Sequence, residues 1–151
     1  MEIKVKIIGP VTYLAEMFRN CHSLIYVKFI NFDTSNVSDM HRLFDDCNNL
    51  TEILGIDTFD TSNVINISFL FSGCKSLINL PKTLNWDTSN VINMSNVFSG
   101  CESLKAIPDI SNWTTKNVKY KHNLFKNCKS LKTIPKNNGR VKRKTLYFNY
   151  Q

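Results

Sequence analysis

The sequence predicts an α/β fold of about five strand-helix repeats, 26–27 residues each, stacked in a short curved arc with a parallel inner sheet. Three observations predict it. Cysteines recur every 26 or 27 residues, apolar residues recur at helical spacing ahead of each cysteine, and a short apolar segment follows it, ending at a proline in the later copies.

The repeat is read first, because missing one misassigns the whole fold. The cysteines are Cys21, Cys47, Cys74, Cys101 and Cys128, separated by 26, 27, 27 and 27 residues. Three residues before each stands a phenylalanine (Phe18, Phe44, Phe71, Phe98, Phe125), and three after it a leucine (Leu24, Leu50, Leu77, Leu104, Leu131). Ten residues ahead stands a valine (Val11, Val37, Val64, Val91, Val118), and six beyond a further aliphatic (Val27, Ile53, Leu80, Ile107, Ile134). The last copy departs from this frame. It has Lys121 at an apolar position and Thr114 where Asp33, Asp60 and Asp87 stand, so it reads as a terminal capping unit.

The elements follow in order. In MEIKVKII, Ile3, Val5 and Ile7 alternate with Glu2, Lys4 and Lys6, the period-2 pattern of a half-buried strand; residues 1–10 are expected to form an N-terminal edge strand and cap. Val37, Met40, Leu43, Phe44 and Cys47 fall at i, i+3, i+6, i+7 and i+10, the spacing of one helical face, and the other copies follow suit. Asp33-Thr34-Ser35-Asn36 ahead of them is expected to cap that helix, with an acid suited to its dipole. Past the cysteine, segments such as SLINLP and SLKAIP read as short strands stopped by Pro81, Pro108 and Pro135. One strand and one helix in this length is the plan of a leucine-rich repeat solenoid, here over residues 1–135. Strands about 4.8 Å apart against helices about 8–10 Å apart would bend the stack with its strands inside.

Residues 86–104, WDTSNVINMSNVFSGCESL, and 59–77, FDTSNVINISFLFSGCKSL, resemble the repeat of the BspA-type leucine-rich repeat family, also seen in mycoplasma lipoproteins and many protist surface proteins. The resemblance runs from residue 11 to about 135. It implies a leucine-rich repeat solenoid used for adhesion or protein binding. The family is commonly surface-exposed. The N-terminus MEIKVKIIGPVTYL, however, has lysines within its apolar run and lacks the continuous apolar centre of a secretory signal. As given, the chain reads as cytoplasmic or as a piece of a longer protein. No stretch reaches the roughly 18 uninterrupted apolar residues of a membrane-spanning helix, so no integral membrane segment is expected.

Charge is polarised. Residues 1–109 hold 8 Lys/Arg against 12 Asp/Glu, a balance of −4, whereas residues 110–151 hold 11 Lys/Arg and no acid, a balance of +11. Residues 136–151 are read as a basic C-terminal cap or tail, with Lys136, Arg140, Lys142, Arg143 and Lys144 as candidates for binding an anionic partner. The same segment also suits a purely structural part, its apolar residues covering the end of the stack.

The sequence favours no catalytic or cofactor chemistry. Cysteines at the ends of neighbouring helices would lie beyond the roughly 7 Å limit for a disulfide, and no Cys-x-x-Cys pair exists for zinc. Asp33, Asp60 and Asp87 would align in a column, but capping accounts for them more simply than calcium. His22, His41 and His122 occupy three different repeat positions, with no serine or acid fixed relative to any of them. The expected function is therefore a non-enzymatic protein-binding, adhesion or scaffold module without cofactor or metal. Its contacts would come from the inner sheet, with Tyr26, Glu52, Asn79, Lys105 and Lys132 as candidates. The alternative is electrostatic binding of nucleic acid or an anionic surface through the basic C-terminal segment.

Overall fold

The structure, a computed structural model, describes the backbone of residues 2–5 and residues 11–132. It overturns the strand-helix repeat. No α-helix occurs among the described residues, whose only helical element is a single 3-10 turn, Ile56–Thr58. Three strands, β1 (Glu2–Val5), β2 (Tyr26–Phe29) and β3 (Glu52–Leu54), form one small parallel sheet in that order. The α/β leucine-rich repeat solenoid, with helices behind an inner sheet of about five strands, is thus not what forms. The argument for curvature falls with it, because no row of helices stands behind the strands.

The reason lies in where the N–H groups go. A helix satisfies them inside its own segment. Here the N–H groups of Met40, Arg42, Phe44 and Asp46 donate instead to the carbonyls of Asn66, Ser68, Leu70 and Ser72 in the next copy, at 2.7–3.0 Å. Those of Leu43, Asp45 and Cys47 fold back three residues, onto Met40, Arg42 and Phe44, at 3.1–3.3 Å. The segment is a run of tight turns that stays polar toward its neighbour and is completed only by stacking. Left-handed residues shape these turns four positions apart: Glu16 and Asn20, Arg42 and Asp46, Phe69 and Gly73, Asn96 and Gly100, Asn123 and Asn127. A left-handed residue costs a helix roughly 1–2 kcal/mol, and two per copy leave no run long enough to be one.

Strands form after the first two cysteines and not after the next two. Thr51 N–H donates to the Ile25 carbonyl at 2.8 Å; Ile78 to Thr51 and Lys105 to Ile78 follow at 3.4 and 3.3 Å. Pro81 and Pro108 then come three residues on. Without an N–H, and with φ fixed, they interrupt the ladder there, and among the described residues it resumes only as the single Thr83–Asp109 bridge.

The residues at the helix-like spacing are nevertheless the buried ones. Val37, Met40, Leu43, Phe44, Cys47 and Leu50 are all fully buried, as are most of their counterparts. Phe18, Phe44, Phe71, Phe98 and Phe125 stack face to face along the array, ring centres 5.3–5.9 Å apart. Trp86 and Trp113 make a second stack at 5.9 Å, and each indole N–H reaches a carbonyl one copy earlier, of Ile56 and of Leu84. Burying each such ring is worth about 1.5–3 kcal/mol.

The Asp-Thr-Ser-Asn tetrapeptide does not cap a helix; each of its residues fastens copies together or folds a turn. Asp33, Asp60 and Asp87 accept the N–H of the serine two residues on, at 2.8–3.0 Å. The serine N–H and hydroxyl together hold these carboxyls below the usual range, the N–H leading at Asp33 and Asp87 and the hydroxyl at Asp60. The hydroxyls of buried Thr34, Thr61 and Thr88 donate to carbonyls of the following copy, at Asp60, Asp87 and Thr114. Asn63, Asn90 and Asn117 send their amide N–H groups back to Ser35, Ser62 and Ser89.

Candidate functional site

Two exposed strips run along the stack. The first follows the cysteines. Spacing leucine and aliphatic three apart, as in Leu24 and Val27, buries both and turns the pair between them outward: Ile25, Glu52, Ile78, Asn79, Lys105 and Ala106 are exposed, Tyr26 and Thr51 half-buried. Tyr26 and Glu52 are direct partners in the β2–β3 register. Lys105 belongs to a different row, since its N–H joins it to Ile78, and through Ile78 to Thr51 and Ile25. Lys132 stands four residues past Cys128, as Lys105 does past Cys101, and is exposed. The five predicted contact residues therefore occupy two adjacent rows, one with Tyr26, Glu52 and Asn79, the other with Lys105 and Lys132.

The second strip was not anticipated. Residues on either side of the buried valines face outward. Ile65 N–H donates to Ser38, Ile92 to Ile65 and Lys119 to Ile92, each at 2.8 Å. Together with Asn63, Asn90 and Asn117, the residues Ile65, Ile92 and Lys119 line a shallow groove of about 450 Å³. No carboxylate lines it. The available signal was the alternation Asn-Val-Ile in copies three and four, which has the period of a strand rather than of a helix.

Lys136, Arg140, Lys142, Arg143 and Lys144 lie outside the described residues. Within them, the basic end is represented by Lys116, Lys119, Lys121, Lys126, Lys129 and Lys132, with no Asp or Glu after Asp109. Lys129 pairs with Glu102 at 2.6 Å. The acidic end is partly self-neutralised. Arg19 and Arg42 approach Asp45 at 3.6 and 3.7 Å, yet burial is the larger influence and pushes the Asp45 carboxyl up.

The cysteines are hydrogen-bond donors in the core. Sγ of Cys47, Cys74, Cys101 and Cys128 lies 2.9–3.1 Å from the carbonyl of Phe18, Phe44, Phe71 and Phe98 respectively, one copy earlier. Burial raises their pKa, to about 12 for Cys47 and about 11 for Cys128. A thiol held neutral in this way is a poor nucleophile and a poor metal ligand. His41 bridges Asp39 (2.9 Å) and, across copies, Glu16 (3.3 Å). Both ring nitrogens thus face carboxylates, and the group ties two copies together rather than aiming a base at a hydroxyl or thiol. Among the described residues no cluster of three or more His, Cys, Asp or Glu is arranged to hold a metal ion. Nor is any helix among them long and apolar enough to cross a membrane.

A family model described as Mycoplasma protein of unknown function, DUF285, matches the chain over residues 7–84 and again over 51–148. No curated protein and no solved structure matches it. Nearly the whole repeat array lies within those two matches, and the chain belongs to this Mycoplasma family.

Proposed function

We propose that the chain is a non-catalytic protein-binding module, an adhesion or scaffold unit, whose contacts come from the outward pairs after each cysteine. One observation carries this reading: the side chains that recur are those that stacking uses, and the pairs that stacking leaves outward differ from copy to copy. Phenylalanine, cysteine, threonine and asparagine recur because each fastens one copy to the next. Ile25-Tyr26, Thr51-Glu52, Ile78-Asn79 and Lys105-Ala106 do not recur, although the Thr51 hydroxyl donates to the Ile25 carbonyl at 3.0 Å. The resemblance of the repeat to BspA-type surface proteins supports adhesion as the setting.

The test is affinity capture at about 0.15 M salt by the natural chain and by a variant carrying Tyr26→Ala, Glu52→Ala, Asn79→Ala and Lys105→Ala. A partner held by the first and lost by the second, with thermal unfolding unchanged, supports the reading. A partner held equally by both places the interface elsewhere.

A second reading is electrostatic, with the C-terminal end holding an anionic partner; the acid-free run from Lys116 to Lys132 favours it. Such a complex weakens steeply with salt, and deleting residues 136–151 measures the tail's share of it.

A further inference from the structure

We propose that the fifth copy and the groove beside it bind single-stranded nucleic acid, with Tyr120 as a stacking platform. The proposal rests on the electrostatic reading and adds to it a site and a ligand class. Its starting point is a break in the repeat. At the position of Tyr120 the three preceding copies have Asp39, Asn66 and Asn93, whose side-chain oxygens accept the N–H two residues on at 2.9–3.1 Å. Tyrosine has no acceptor so placed, and the turn forgoes that bond. Among the described residues the ring joins no aromatic stack, and it is 55% exposed. The three middle copies show that the frame does not require an aromatic here; the first copy also has one, the exposed Tyr13, but it is followed by Glu16 rather than by lysines. Lys121, next along the chain, stands where Met40, Ile67 and Met94 are buried, a second departure at the same place.

Around Tyr120 the chemistry is that of a strand-binding surface. Lys116, Lys119, Lys121 and Lys126 surround it in sequence without an acid among them. Lys119 also closes one end of the groove, whose other walls are Asn63, Asn90 and Asn117 and the apolar Ile65 and Ile92. Each asparagine has its amide N–H engaged by a serine carbonyl at 2.6–2.8 Å, which fixes the side chain and leaves its oxygen as an acceptor for the N–H edge of a base. A cationic track, an exposed ring and polar groups for unpaired base edges are the features that bind single strands. A duplex would hide those edges, and the described residues offer no helix to enter its major groove. An acidic peptide would use the lysines but would leave Tyr120 and the asparagine row without a part.

The experiment is fluorescence anisotropy of the full chain with a labelled oligo(dT) of about 12 nucleotides, from about 50 to about 200 mM salt. The natural chain is expected to bind it more tightly than duplex DNA, heparin or phosphatidylserine vesicles. Tyr120→Ala is expected to weaken binding about 5- to 150-fold, the loss of one base stack, without changing the dependence on salt; Tyr120→Trp should retain binding. Lys119→Gln should lower the slope of log affinity against log salt by about 0.7. If Tyr120→Ala has no effect, or heparin or vesicles bind as well as oligo(dT), the nucleic-acid proposal is overturned and the electrostatic reading survives. If no polyanion binds even at low salt, both are overturned.

Discussion

Cys74 Sγ lies 3.1 Å from the carbonyl oxygen of Phe44, one copy earlier, and its thiol hydrogen is fully withdrawn from water. The same contact recurs at Cys47, Cys101 and Cys128. The cysteines of the last four copies recur because a small side chain that is both apolar and a weak donor suits a carbonyl of the copy before at that point. Cys74→Ala keeps the space nearly filled and removes the donor. It is expected to lower stability by about 0.5–1.5 kcal/mol, the net worth of one hydrogen bond, since the Phe44 carbonyl keeps the Cys47 N–H at 3.1 Å, read from urea unfolding.

Raised thiol pKa values make the array sensitive to alkali. In the unfolded chain a thiol loses its proton near its ordinary value of 9.0, whereas in the fold Cys47 and Cys128 hold theirs to about 12 and about 11. The preference for the fold is complete below pH 9, where both states are protonated, and is lost as pH rises from there through the folded values. Circular dichroism at stepped pH should show loss of structure over that window. Cys47→Ala should make the slope shallower, though the variant starts from lower stability.

Gly73 and Gly100 occupy equivalent left-handed positions, with φ of 70° and 76°, but they do not have equivalent surroundings. A Cβ on Gly73 would run into the Asp46 carboxylate, whereas one on Gly100 would meet nothing nearer than backbone of Gly73 at 3.4 Å. Gly100→Ala is expected to cost about 1–2 kcal/mol, for the backbone conformation alone. Gly73→Ala should cost more, because Asp46 must also move. Urea midpoints of the two variants check the order.

The same glycines explain what could and could not be read in the sequence. Successive tight turns put residues three and four apart on one side, as a helix does, so Val37, Met40, Leu43, Phe44 and Cys47 identify the buried side without identifying the backbone. The residue before each cysteine was the discriminating sign: Asn20, Asp46, Gly73, Gly100 and Asn127 are the types that tolerate positive φ. The bonds that replace the helical ones, such as Phe44 N–H to the Leu70 carbonyl, join residues a whole copy apart. Local spacing carries no trace of them. The outward pairs after each cysteine were legible because they interrupt an aliphatic frame. The offset of Lys105 from Asn79 was not, since it depends on the register between copies. The groove beside Lys119 stayed hidden because the segment around Val91 has outward residues on both sides only in a non-helical backbone.

A buried hydroxyl supplies the last test. Thr61 is 3% exposed, and its Oγ1 donates to the Asp87 carbonyl at 3.1 Å, tying the third copy to the fourth. Valine has the same shape but no donor, so Thr61→Val removes the partner of that part-buried carbonyl, at an expected cost of about 1–3 kcal/mol. Serine keeps the donor and loses one methyl group, worth about 0.8 kcal/mol on burial. If the bond between copies is what stabilises this position, Thr61→Ser is the milder change. If packing alone matters, the order reverses and Thr61→Val equals or exceeds the natural chain. The two midpoints in urea decide it. Amide exchange adds a control: the Thr61→Val variant should lose protection first at the N–H groups of Ile67 and Phe69, which donate across the junction between the third and fourth copies.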